Sequence, residues 1–135
     1  MQISPYLNFN GRCAEAFKLY ERVLGGKIVA MHTHGETPAK DFVPPNWHDK
    51  VMHVRLETGA MALMGSDAPP DRYTAPKGMF VSVNVKTVPD GARIFKELSD
   101  NGTVTMPFEQ TFWSPGFGML VDRFGIPWMI NCEPA

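Results

Sequence analysis

Hydrophobic and polar positions along this chain switch between two periods. In YLNFN, Leu7 and Phe9 alternate with Tyr6, Asn8 and Asn10, the period of two that marks a half-buried strand. Ala14, Phe17, Tyr20 and Leu24 then recur at helical spacing and Gly25-Gly26 ends the run, so a helix is predicted directly after the strand. If Leu7 and Phe9 pack on that helix, Tyr6, Asn8 and Asn10 point to the opposite face of the sheet. GKIVAMHTHGE predicts a second strand, with Ile28 and Ala30 alternating against Val29 and Met31. Thr37 to Lys50, rich in Pro and polar residues, reads as a long loop of the kind that covers a site. VMHVRLETGAMALMGSD predicts two strands joined by a tight turn at Glu57 to Gly59, with Met52, Val54 and Leu56 inward and His53 and Arg55 on the other face.

The second half repeats this order. MFVSVNVKT predicts a strand with Val81, Val83 and Val85 on one face and Phe80, Ser82 and Asn84 on the other. VPDGARIFKELSDNG predicts a helix opened by Pro89-Asp90 and closed by Asn101-Gly102. Strand-like runs follow, broken by Ser114 to Gly116 and by the turn DRFG. Phe9, Ala16 and Gly26 fall on Val85, Ala92 and Gly102 at one constant offset of 76 residues. The expected fold class is therefore α+β: two βαβββ modules, residues 1–76 and 77–135, forming one domain. Each module is too small to bury its own sheet face. Pairing them across a homodimer would complete the core and leave a concave cup between sheets.

Composition narrows the function classes. The 135 residues are 44% hydrophobic and 20% charged, a globular rather than disordered balance. Thirteen basic and 14 acidic residues give a net charge of -1 without a run of either sign, so no nucleic acid or anionic membrane partner is expected. With no signal-peptide pattern and no apolar run of about 18 residues, a cytoplasmic location is expected. Cys13 and Cys132 are too few for a disulfide framework, and Cys13 reads as a small buried packing residue.

The polar residues opposite the helix faces are the candidates for chemistry. Tyr6, Asn8, Asn10, Arg55, Phe80, Ser82 and Asn84 would line the cup, a few polar groups among aromatic walls, as in a small-molecule pocket. The competing reading has them bonding one another or lying at a dimer interface. Arg55 needs an anionic partner, supplied by Glu57 or by a carboxylate or phosphate ligand. His53 is the candidate general acid or base. Separately, His32, His34 and Glu36 alternate in MHTHGE and on one strand face would offer two imidazoles and a carboxylate to a divalent metal, although Gly35 suggests that the strand has already ended.

Four segments, SPYLNFNGRCAEAFKLYERVLGG, NWHDKVMHVRL, LMGSD and FWSPGFGMLVDRFGIPWMI, resemble the PhnB-like branch of the glyoxalase, bleomycin-resistance and dioxygenase superfamily, the vicinal oxygen chelate proteins. The resemblance spans essentially the whole chain. It implies paired βαβββ modules in a U-shaped, partly open mixed sheet, in a homodimer. It also implies a divalent metal held by one His or Glu from each of four strands. Those positions fall near Ser4 to Tyr6, in ALMG, near Phe80 and near Met129, where no imidazole or carboxylate stands, so no metal cofactor is expected. Trp113, beside Ser114-Pro115-Gly116, matches the family's aromatic segment at the cup rim, where a ring stacks on ligand. The ubiquinone methyltransferase label attached to some PhnB-like domains calls for a Gly-rich loop after a strand in a doubly wound sheet, and none is present. The expected function is binding of a small organic molecule in a cup without the usual metal ligands, with enzyme and binder both open. The alternatives are a metal-dependent lyase, isomerase or dioxygenase with displaced ligands, and a non-catalytic drug-sequestering protein of resistance type.

Overall fold

The computed structural model describes residues 1–135, which divide into two compact units, Met1–Ala75 and Pro76–Ala135. Unit one contains β1 (Tyr6–Phe9), α1 (Cys13–Leu24), β2 (Lys27–Thr33), β3 (Val51–Thr58) and β4 (Met61–Asp67). Unit two contains β5 (Val81–Val85), α2 (Val88–Ser99), β6 (Thr103–Glu109), β7 (Gly116–Val121) and β8 (Pro127–Cys132). Each unit is thus a βαβββ module with a four-stranded mixed sheet, ordered β1-β4-β3-β2 in one and β5-β8-β7-β6 in the other. The first and last strands of each module run parallel, and the remaining neighbours are antiparallel.

In unit one the helix buries Ala16, Phe17, Leu19, Tyr20 and Val23 on the sheet face carrying Phe9, Val54, Leu56 and Leu63. Phe9, Phe17 and Tyr20 form an aromatic knot, with Phe17 edge-on to both others at 5.9 and 5.5 Å. Gly25, left-handed at φ 74°, ends α1 as its sequence required. The start of α1 is held from outside the helix. Arg12 makes no side-chain cap, and Asp67, 2% exposed, instead accepts from the backbone N–H groups of Gly11 at 2.8 Å, Cys13 at 3.0 Å and Val51 at 2.9 Å. A carboxylate there also faces the positive end of the helix dipole.

Unit two packs Ile94, Phe95 and Leu98 of α2 over the face that carries Leu120, Trp128 and Ile130. Asp122 organises its last turn, accepting from Phe124 N–H, Ile126 N–H and the Trp128 indole Nε1 at 2.9 to 3.0 Å.

Several expectations are corrected. A β-bulge between Ile28 and Ala30 breaks the simple alternation of β2: Ile28 pairs with Leu56 on the helix face, whereas Ala30 pairs with Arg55 on the open face. The β3–β4 turn lies at Gly59-Ala60, not Glu57 to Gly59, because β3 continues to Thr58. The segment after β2 is not bare loop but carries three short 3-10 turns, His34–Glu36, Pro38–Phe42 and Pro45–Trp47. The constant repeat offset of 76 holds for the strands β1/β5 and β2/β6 but not for the helices, whose buried faces align at 75: Ala16, Leu19, Tyr20 and Val23 match Gly91, Ile94, Phe95 and Leu98. The β5–α2 connection is one residue shorter than β1–α1, and one extra residue before Gly102 restores the register.

Candidate functional site

Each sheet has one face under its helix and one open face, and pairing register assigns the side chains. On the first sheet, Tyr6 pairs with Met64, Asn8 with Ser66, and Arg55 with Met64. These side chains, with His53, share the open face. The Tyr6 hydroxyl lies 3.0 Å from His53 Nδ1, and the two rings stack with centroids 5.8 Å apart. Burial raises the Tyr6 phenol pKa above its ordinary value, with the Ser66 hydroxyl opposing the shift. With the phenol as donor, neutral His53 carries its own proton on Nε2. With Nδ1 protonated, the phenol oxygen accepts and Nε2 becomes the base.

Arg55 is held by Glu57 Oε2 at 3.0 Å through Nε, by Gln2 Oε1 at 3.3 Å through Nη2, and by the Met64 sulfur at 3.7 Å through Nη1. Only the first of these partners is charged. The Ser66 hydroxyl donates to Asn8 Oδ1 at 3.2 Å.

On the second sheet, Ser82 pairs with Met129, and Asn84 with Asn131, whose Nδ2 donates to Asn84 Oδ1 at 3.2 Å. The Asn84–Asn131 contact occupies the same place in its module as Asn8–Ser66 does in the first. Phe117 lies opposite Asn131 on β7 and meets the Trp113 ring at 5.4 Å. Trp113 is 47% exposed, and Phe112, packed on it, is 97% exposed.

Two candidates leave the strand faces to which the alternation assigned them. Asn10 lies past the end of β1, in the bend before α1, and Phe80 precedes β5. The His32, His34 and Glu36 set does not share a strand face. β2 ends at Thr33, the buried His34 donates through Nε2 to the Asp67 carbonyl at 3.1 Å, and Glu36 bonds back to the Thr33 hydroxyl and N–H. Those Thr33 bonds lower the Glu36 pKa. His48 bonds the Lys40 carbonyl at 3.0 Å.

The donor set does not fit the superfamily's divalent ion. Near the four expected positions, the third of them placed near Phe80, the open faces present Tyr6, Met64, Ser82 and Met129, and nowhere do three His, Cys, Asp or Glu side chains come together. Glu57, one of the two partners expected for Arg55, is the one that holds it. The residues missed by sequence reasoning are Gln2 as a further partner of Arg55, Asn131 as partner of Asn84, and Phe117 beneath Trp113. Asn131 and Phe117 were findable, since both alternate with buried neighbours in their strands.

The two four-stranded βαβββ sheets are those of the glyoxalase and bleomycin-resistance fold. A glyoxalase/bleomycin resistance protein/dioxygenase family enzyme from Burkholderia phytofirmans superposes with a TM-score of 0.66 at 12% identity, covering 97% of each chain. A structure described as a putative 3-demethylubiquinone-9 3-methyltransferase, PhnB protein, from Bacillus cereus reaches 0.83 at 23% identity, covering 98% of this chain and 100% of that one. Protein PA1353 from Pseudomonas aeruginosa reaches 0.90 at 47% identity over 98% of both chains. Protein YjdN of Escherichia coli is 34% identical over 97% of this chain and 95% of its own. A family model described as 3-demethylubiquinone-9 3-methyltransferase matches residues 1–131, and the chain belongs to that PhnB-like family.

Proposed function

We propose that the open face of the first sheet binds a small organic anion, a carboxylate or phosphonate, without a metal. The observation that carries this reading is Arg55, whose guanidinium sits on one face with the Tyr6–His53 pair, the Asn8–Ser66 pair and two neutral, displaceable partners. Arg55 takes the charge bidentately, Glu57 keeps its fork oriented, and Tyr6 and His53 orient the rest of the ligand. If the ligand is turned over, His53 is the proton carrier. Methyl transfer, the activity in the family's description, is not proposed: neither four-stranded mixed sheet is the doubly wound parallel sheet whose Gly-rich loop cradles an adenosyl group.

The test is calorimetry with a panel of aryl and alkyl carboxylates and phosphonates. A hit should lose at least about tenfold in affinity in Arg55→Ala/His53→Ala, the loss of one charge-assisted contact, and should be indifferent to chelator. Unchanged affinity in the double variant would sink the reading.

A further inference from the structure

The second sheet carries less charge than the first. Its four strands contain no Lys or Arg, and their one charged residue is Glu109. Glu109 pairs with Phe117, Phe117 with Asn131, and Asn131 with Asn84, so the four side chains form one row across the open face. The ring of Phe108, the residue before Glu109, lies against Gly91 of the helix and Gly116, which fixes Glu109 on the other side.

Two electron-rich groups, one in this row and one stacked on it, are accessible. Glu109 is exposed and has no ion-pair or hydrogen-bond partner. Trp113 stands edge-to-face on Phe117 with nearly half of its surface open. Aromatic rings favour a cation over their faces, and a carboxylate beside them supplies the counter-charge.

We infer that Glu109, Trp113 and Phe117 form a subsite for an organic ammonium group, the rings offering their faces to the cation and the carboxylate its counter-charge. The inference uses residues of the second sheet alone and stands independently of anion binding at Arg55.

The probes are benzylammonium, benzyltrimethylammonium and the neutral benzyl alcohol, read by Trp113 fluorescence; Trp47 and Trp128 are buried and serve as an internal reference. Both cations should bind at least about tenfold tighter than the alcohol, and Glu109→Gln should remove most of that margin. Glu109 is exposed, so Glu109→Gln reports on binding through the intact Trp113 signal without disturbing the core. Equal binding of alcohol and cations, an unchanged cation affinity in Glu109→Gln, or no response up to about 10 mM, well above the range for ligands of this size, would overturn the inference.

Discussion

Cys13 begins α1 with no exposed surface, and burial, followed by the neighbouring Asp67 carboxylate, pushes its thiol pKa far above the ordinary value of 9.0. The thiol is therefore a packing group rather than a nucleophile, despite its helix N-terminus. The sign of the pH effect follows. A pKa raised by folding contributes stability that is intact below the unfolded value and is lost as pH rises past it. Chemical denaturation should find stability flat between pH 7 and 8 and falling above about pH 9, by roughly 1.4 kcal/mol per pH unit for one such group. Cys13→Ala should flatten that alkaline slope, apart from what the raised Tyr6 phenol adds above about pH 10. A thiol reagent at pH 8 should label neither Cys13 nor Cys132, both buried, until denaturant is added. At this scale the sequence was partly legible. Alternation placed His53, Arg55 and Asn8 on one face because β1 and β3 are regular where those residues stand. It could not find Asp67, whose three N–H partners lie in segments separated along the chain.

At the level of elements, the repeat was read correctly in type and order, while its register was not. Both helices formed where expected, but in α1 only Phe17 and Tyr20 of the expected stripe are buried, Ala14 and Leu24 being half-buried beside Ala16, Leu19 and Val23, and two compensating one-residue differences hid inside a constant offset. The bulge in β2 was equally hidden, since a bulge is a backbone event and Val29-Ala30 are ordinary strand residues. Gly26 and Gly102 were legible as helix stops, but their more demanding role was not. A Cβ on Gly26 would come 2.6 Å from the Glu57 carbonyl oxygen, and one on Gly102 would strike the Val121 carbonyl. Both admit β2 and β6 beside a neighbouring strand's backbone. Gly26→Ala and Gly102→Ala should each lose about 1–3 kcal/mol, read as a lower denaturation midpoint, because backbone rather than a movable side chain must yield.

For the molecule as a whole, a balanced net charge of -1 conceals an asymmetry between its two sheets. The strands of the first hold Lys27 and Arg55 balanced by Glu57 and Asp67, and those of the second hold only Glu109. The PhnB-like resemblance reached the fold directly, but this fold hosts unrelated activities, so ligand chemistry must come from the side chains on the open faces. No helix is long and apolar enough to cross a membrane. The Asp67 carboxylate has a further consequence, for kinetics. It fastens the entry to α1 and the first residue of β3 to the end of β4. In deuterated buffer the amide protons of Gly11, Cys13 and Val51 should therefore exchange at similar slow rates, through one shared opening. Asp67→Asn should accelerate all three together while leaving the amides of β7 and β8 as slow as before; three unrelated rates would show that the carboxylate fastens nothing in common.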